Sequence, residues 1–149
     1  MRIKSHWHQR YLELAEHISK WSKDPSKQIG AVVIGSAGQV LAQGYNGFPR
    51  GIADHESDYA DREIKYTKVV HAEMNAIYNA SRTGVSLEGS TMYVYGLPVC
   101  NECAKGIIQV GIKHVVMKKT YDNSKSRWKD SCELAEQLFK EADVTITYV

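Results

Sequence analysis

The stretch Thr91-Met92-Tyr93-Val94-Tyr95-Gly96-Leu97-Pro98-Val99-Cys100-Asn101-Glu102-Cys103 decides the fold. Thr91 to Tyr95 is β-branched and aromatic, which favours an extended strand, and Gly96 and Pro98 end it. Cys103 to Val110 then reads as a helix that stops at Gly111. From here the chain alternates. Lys113 to Met117 predicts a strand, Leu134, Leu138 and Phe139 mark a helix, and Val144 to Val149 predicts a terminal strand.

Upstream, Ala72 to Arg82 is rich in helix formers and stops at Gly84. Asn46 to about Lys68 is a long polar connection with Gly47, Pro49 and Gly51, and a short helix is expected around Tyr59 to Tyr66. Ile29–Ile34 and Gln39–Tyr45, joined by Gly35-Ser36-Ala37-Gly38, read as a hairpin. Trp7, Tyr11, Leu14, Ile18 and Trp21 recur at steps of four and three, so they predict one stripe of a first helix ending before Asp24-Pro25. The tryptophans on that stripe are expected in the core. Helix, hairpin, then helix and strand three times implies an α/β protein: a mixed sheet with helices on both faces and ligands beyond the strand ends.

At 149 residues the chain is read as a single domain, 1–149. A net charge of +2 creates no field that calls for a nucleic acid or a membrane. The polar, basic start and the lack of a long apolar run predict a cytoplasmic protein with no membrane span. In a reducing compartment, Cys100 and Cys103, two residues apart, favour metal or redox chemistry over a structural disulfide.

His71-Ala72-Glu73, a helix and a strand ahead of the cysteine pair, completes the chemical constellation. One imidazole and two thiolates suit Zn2+, and three ligands leave a fourth tetrahedral position for water, as a catalytic site requires. His71 opens one predicted helix and the cysteines open the next, and helix N-termini favour thiolates. Glu73, close by but not a ligand, is the catalytic residue expected to move protons. A histidine, a non-ligand glutamate and paired cysteines form the set that zinc deaminases use on nucleobases. In that template the proline directly precedes the first cysteine, whereas here Val99 intervenes after Pro98.

Two other readings of the same residues stay open. A purely structural zinc could take Cys132 or His55 as fourth ligand, and Cys100 with Cys103 could be a redox pair, although that leaves His71 and Glu73 unexplained. His6, His8, His17 and His114 have no ligand-like companions and read as surface or packing residues. One histidine, His55, without nearby cysteines is poor grounds for a second metal.

Across nearly its whole length the chain resembles the deoxycytidylate deaminases of the cytidine deaminase superfamily. The resemblance is carried by His71-Ala72-Glu73-Met74-Asn75-Ala76-Ile77, the cysteine pair, and Gly44-Tyr45-Asn46-Gly47-Phe48-Pro49-Arg50-Gly51. Ser22-Lys23-Asp24-Pro25-Ser26-Lys27, leading into Gly30-Ala31-Val32-Val33, carries it further. The resemblance implies a cytidine-deaminase-like three-layer α/β/α sandwich with a central five-stranded mixed sheet. It also implies hydrolysis of dCMP to dUMP and ammonia, a homohexamer, activation by dCTP and inhibition by dTTP, with Mg2+ accompanying the effector.

Carried over by position, Asn46 is expected at the deoxyribose 3′-hydroxyl, or simply in a turn. Tyr121 is expected beside the substrate, or packed at a strand end, and Ala72 among the substrate contacts. Ser26, Lys27 and Arg50 are the phosphate candidates. Gly44, Asn46, Gly47, Phe48 and Arg50 are expected at the allosteric nucleotide, the glycines allowing either close approach or tight turns. A tRNA adenosine deaminase is the runner-up. It would want a basic face, and Asp54, Glu56, Asp58, Asp61 and Glu63 in the long loop argue against one. A non-catalytic zinc-binding regulatory protein would not need Glu73.

Overall fold

The chain folds in the order α1 (Ser5–Ser19), β1 (Gly30–Ile34), β2 (Val40–Tyr45), α2 (Glu56–Ala60), α3 (Arg62–Lys68), α4 (Ala72–Thr83), β3 (Thr91–Tyr95), α5 (Asn101–Gln109), β4 (His114–Met117), α6 (Lys129–Glu141), β5 (Thr145–Tyr148). This computed structural model describes residues 3–118 and 129–149.

The five strands form one sheet in the order β2-β1-β3-β4-β5. β1 runs antiparallel to both β2 and β3, while β3, β4 and β5 run parallel, so the sheet is mixed. The expected hairpin forms, with a bulge between Val33 and Ile34, and Gly38 takes the left-handed φ of 83° its turn requires. Parallel neighbours need crossovers, and α5 and α6 supply them. Alternate residues of the strands then face opposite layers. Ala31, Val33, Met92, Val94 and Val115 pack with α4, α5 and α6, through residues such as Ala76, Ile107 and Phe139. Val32, Ile34, Tyr93 and Val116 pack against Leu12, Ala15 and Ile18 of α1. The result is the expected α/β/α layering, with its larger core on the face that carries α4 and α5.

Two local expectations are corrected. Helix α1 buries His8, Leu12, Ala15, Ile18 and Ser19, not the stripe of large aromatics, and Trp7 and Trp21 are 40% and 49% exposed. The cause is how closely α1 lies on the sheet. A Cβ on Gly30 would sit 2.0 Å from the Ala15 carbonyl oxygen, so small residues must face the sheet at the crossing. His8 is buried because its Nδ1 meets the Tyr93 hydroxyl at 2.6 Å.

The single helix expected near Tyr59–Tyr66 is two helices broken at Asp61. The Asp61 carboxylate accepts the backbone N–H of Glu63 and of Ile64, capping α3 and so ending α2. This helical pair is held down by Tyr59, which is 5% exposed and stacks on Phe48 with ring centroids 4.0 Å apart. No helix among the described residues is long and apolar enough to cross a membrane.

A candidate metal centre and active-site cleft

His71 is the N-cap of α4 and Cys100 the N-cap of α5, so both side chains leave the backbone where it turns from extended to helical. The approach to His71 is pinned by paired hydrogen bonds between Val70 and Gly47, N to O at 2.8 and 3.1 Å. Cys103 follows one turn into α5 and is 1% exposed in the main core. Two helix N-termini converge here, and their unpaired N–H groups favour anionic ligands.

The ligand atoms of His71, Cys100 and Cys103 all lie within 4.8 Å of one another, and they form the one such group among the described residues. His71 Nδ1 is 3.3 Å from Cys103 Sγ and 3.5 Å from Cys100 Sγ. Tetrahedral coordination with ordinary zinc bond lengths puts nitrogen and sulfur roughly 3.6 Å apart, so the triad is spaced for that ion. With no metal between them, the three groups perturb one another's protonation. The Cys100 thiol is held down at about 4, first by the hydrogen bond from Cys103 and, against the effect of burial, also by His71. Cys103 is pushed up because its proton is held toward the Cys100 sulfur, and His71 is raised chiefly by its hydrogen bond to Cys100. Three groups sharing protons at such short range form a cradle for a cation.

Glu73, in the first turn of α4, is 4% exposed, and burial pushes its carboxyl up to about 7 against the pull of His71. A buried carboxyl poised there can both take and give a proton near neutral pH. Cys132 lines the same cleft but lies outside the triad, and burial raises its thiol to about 11. His55 is the exposed N-cap of α2. Neither joins the triad as a fourth ligand, so the closed structural site is not formed among the described residues. Cys100 and Cys103 are free thiols, not a disulfide.

The cleft above these residues has a volume of about 270 Å³. Its floor carries His71, Glu73 and Cys100, and its walls carry Ile29, Val69, Leu97 and Pro98. Val99 is buried in the core, so the residue inserted after Pro98 turns its side chain away from the cleft. The rim is built around Asp24. Its Oδ1 accepts the backbone N–H groups of Ser26 at 2.8 Å and Lys27 at 3.3 Å, and its Oδ2 pairs with Lys65 Nζ at 2.8 Å. Asn46 lines the cleft and braces this rim. Its Oδ1 accepts the Ile29 N–H at 2.9 Å and its Nδ2 donates to the Lys27 carbonyl at 2.8 Å.

The chain is similar to known proteins. Residues 5–119 match the family model described as the cytidine and deoxycytidylate deaminase zinc-binding region. The chain is 40% identical over 145 residues to the human deoxycytidylate deaminase, covering 93% of this chain and 77% of that protein. It is 39% identical to a protein of Aliivibrio fischeri named as an uncharacterized deaminase in the luxG 3′ region, covering 97% of this chain and 95% of that one. The chain belongs to the deoxycytidylate deaminase family. The crystal structure of a dCMP deaminase from the cyanophage S-TIM5, in complex with dCMP and dUMP, superposes with a TM-score of 0.78. That protein is 27% identical, with 99% of this chain and 100% of that chain covered.

Within this deaminase family member the remaining expected site residues scatter. Ser26, Lys27 and Asn46 line the cleft, but Ala72 is fully buried in the core and is not among the cleft's lining residues. Arg50 lies elsewhere, its guanidinium donating to Asn79 Oδ1 at 2.6 Å. With Gly47, Phe48, Tyr78 and Arg82 it lines a second cleft of about 480 Å³. The loop expected to serve both substrate and effector divides, Asn46 toward the first cleft and Gly47, Phe48 and Arg50 toward the second. Gly44 is not among the residues lining the second cleft, and a Cβ there would lie 2.4 Å from the Ala76 nitrogen, so it allows the close approach of α4. Tyr121 lies outside the described residues. Asp24 stands in the Ser22–Lys27 stretch and Lys65 in the expected short helix, but nothing in the sequence joins them as the pair that builds the rim.

Proposed function

We propose that this chain hydrolyses dCMP to dUMP and ammonia, dependent on one zinc ion held by His71, Cys100 and Cys103. The observation that carries the reading is the triad's spacing beside a buried Glu73 in the lining of one cleft. When bound, the ion would supply a Lewis acid that makes water acidic enough to attack at neutral pH. Glu73 takes a proton from the attacking water and gives it to N3 of cytosine. It then moves the second water proton to the departing amine, so that a C4–O bond replaces the C4–N bond and nitrogen leaves as ammonia. Ile29, Val69, Leu97 and Pro98 exclude bulk water from the base. Asn46 keeps one lone pair on Oδ1 for the 3′-hydroxyl of the sugar.

Regulation belongs to the same reading: dCTP, with Mg2+, activates and dTTP inhibits, acting at the cleft of Gly47, Phe48, Arg50 and Arg82 on a cytoplasmic homohexamer. Two arginines suit a polyphosphate. The Phe48–Tyr59 stack and the Gly47–Val70 bridge lead from that cleft to α2 and to His71.

Ammonia release from the zinc-loaded protein with cytidine, deoxycytidine, CMP, dCMP and an adenosine-containing RNA tests the activity. The reading expects dCMP to be the best substrate, and turnover of the RNA alone overturns it. Sedimentation with and without the effectors tests the hexamer, and dCMP saturation curves test the regulation.

A further inference from the structure

We propose that Lys65 is the residue by which this cleft selects a nucleotide monophosphate over its nucleoside, an inference that rests on the dCMP reading above. The lining residues separate floor from mouth. His71, Glu73 and Cys100 line the main cleft alone, whereas Asp24, Ser26 and Lys27 also line an open groove of about 490 Å³. Lys65 and Tyr66 also line a second surface groove, of about 210 Å³, together with Arg62. Lys65 therefore stands at the mouth. In a cytosine nucleotide the amine and the phosphate are at opposite ends, so a base seated at Glu73 directs its phosphate there.

The loop below the mouth cannot bind a phosphate through its own backbone. The N–H groups of Ser26 and Lys27, the natural anion donors of such a turn, already bind the Asp24 carboxylate. That carboxylate would repel a phosphate unless a cation stood between them. Lys65 is that cation: its ammonium is 2.8 Å from Asp24 Oδ2, with its side chain 13% exposed and that of Asp24 only 2% exposed. An ammonium has three donors, so one bond to Asp24 leaves two directions for phosphate oxygens. Partial burial also spares this charge the salt screening suffered by cations in open solvent. Lys65 is thus both the neutraliser of Asp24 and the phosphate donor.

The test uses zinc-loaded protein and the variants Lys65→Gln and Lys65→Arg, with kcat/KM measured for dCMP and for deoxycytidine. Lys65→Gln is expected to lower the dCMP value about ten- to a hundredfold more than the deoxycytidine value, mainly through KM, as loss of a charge-assisted hydrogen bond does. Lys65→Arg is expected to recover most of that selectivity. Calorimetry should show dUMP binding weakened by Lys65→Gln more than deoxyuridine binding. Equal losses on nucleotide and nucleoside, or an undiminished preference for dCMP, overturn the proposal. Should Lys65→Gln not fold, Lys65→Met combined with Asp24→Asn removes both charges of the pair, and the same ratio is read. A wild-type protein that deaminates neither substrate refutes the dCMP reading itself. A wild type that deaminates dCMP while the variants keep its selectivity refutes only the role of Lys65.

Discussion

The floor and the rim of the cleft are built by opposite means. The floor takes its residues from two short windows, 71–73 and 100–103, and each window is a helix N-terminus whose backbone orients the side chains it carries. The rim takes its residues from three separated places, Asp24 in a loop, Asn46 after β2 and Lys65 on α3, joined mainly through hydrogen bonds and an ion pair of their side chains. Chemistry that must be held within a fraction of an ångström sits on the N-termini of rigid helices packed on the sheet. Recognition that must differ between substrates is placed on connections that can vary.

If this contrast is right, damage to the floor destroys the site and damage to the rim retunes it. The largest effect is expected from Cys103→Ala, since Cys103 is both a proposed zinc ligand and a core residue. Metal analysis should find zinc falling from one per chain to near zero, with a stability loss of roughly 5 kcal/mol or more. Full zinc occupancy in that variant would remove Cys103 from the ligand set.

Glu73→Gln separates chemistry from architecture within the floor. The amide is isosteric but cannot carry protons, so turnover of dCMP should fall about 10²–10⁴-fold while zinc content is kept. Its melting temperature should not fall, because a buried carboxyl is replaced by a neutral group. Near-normal turnover in zinc-replete Glu73→Gln protein would mean that another group moves the protons.

This difference in construction also explains what could be read in the sequence. The five strands, the hairpin and helices α4 and α5 are local patterns, and the metal triad with Glu73 is a spacing motif, so all were visible. The Asp24–Lys65 pair joins residues on different elements, and nothing local in either announces the other. The burial register of α1 escapes the sequence for a related reason: the size of Trp7 and Trp21 suggests a core stripe, but the close crossing of Ala15 and Gly30 decides which face is buried. Asp61 was counted among the acids opposing a nucleic acid, while its carboxylate is spent on capping α3. Asp54 and Asp58 are likewise paired, with Lys23 and Lys68.

On the rim, Asp24→Asn should cost about 3 kcal/mol of stability, because it leaves the Lys65 ammonium without its carboxylate in a largely buried setting. The backbone N–H groups of Ser26 and Lys27 keep a weaker, neutral acceptor. Thermal or urea unfolding checks the figure. A loss under about 1 kcal/mol would show that the loop is held by Asn46 rather than by the ion pair.

The smallest effect is expected from an exposed lysine–aspartate pair outside the cleft, Lys23 with Asp54, and it tests whether burial or pairing is what matters. Lys23 Nζ lies 3.0 Å from Asp54 Oδ2, much like the 2.8 Å of Lys65 and Asp24. Its side chains, however, are 67% and 32% exposed. Water solvates both Lys23 and Asp54 whether or not they touch, so Lys23→Ala should cost no more than about 1 kcal/mol. Salt distinguishes the pairs further. At 1 M ionic strength the screening length falls to about 3 Å, so any cost of Lys23→Ala should vanish, while that of Asp24→Asn should largely persist. Unfolding curves of both variants at low and high salt read this directly. If Lys23→Ala costs as much as Asp24→Asn and is equally insensitive to salt, the two pairs are equivalent, and burial at Asp24 confers no special weight.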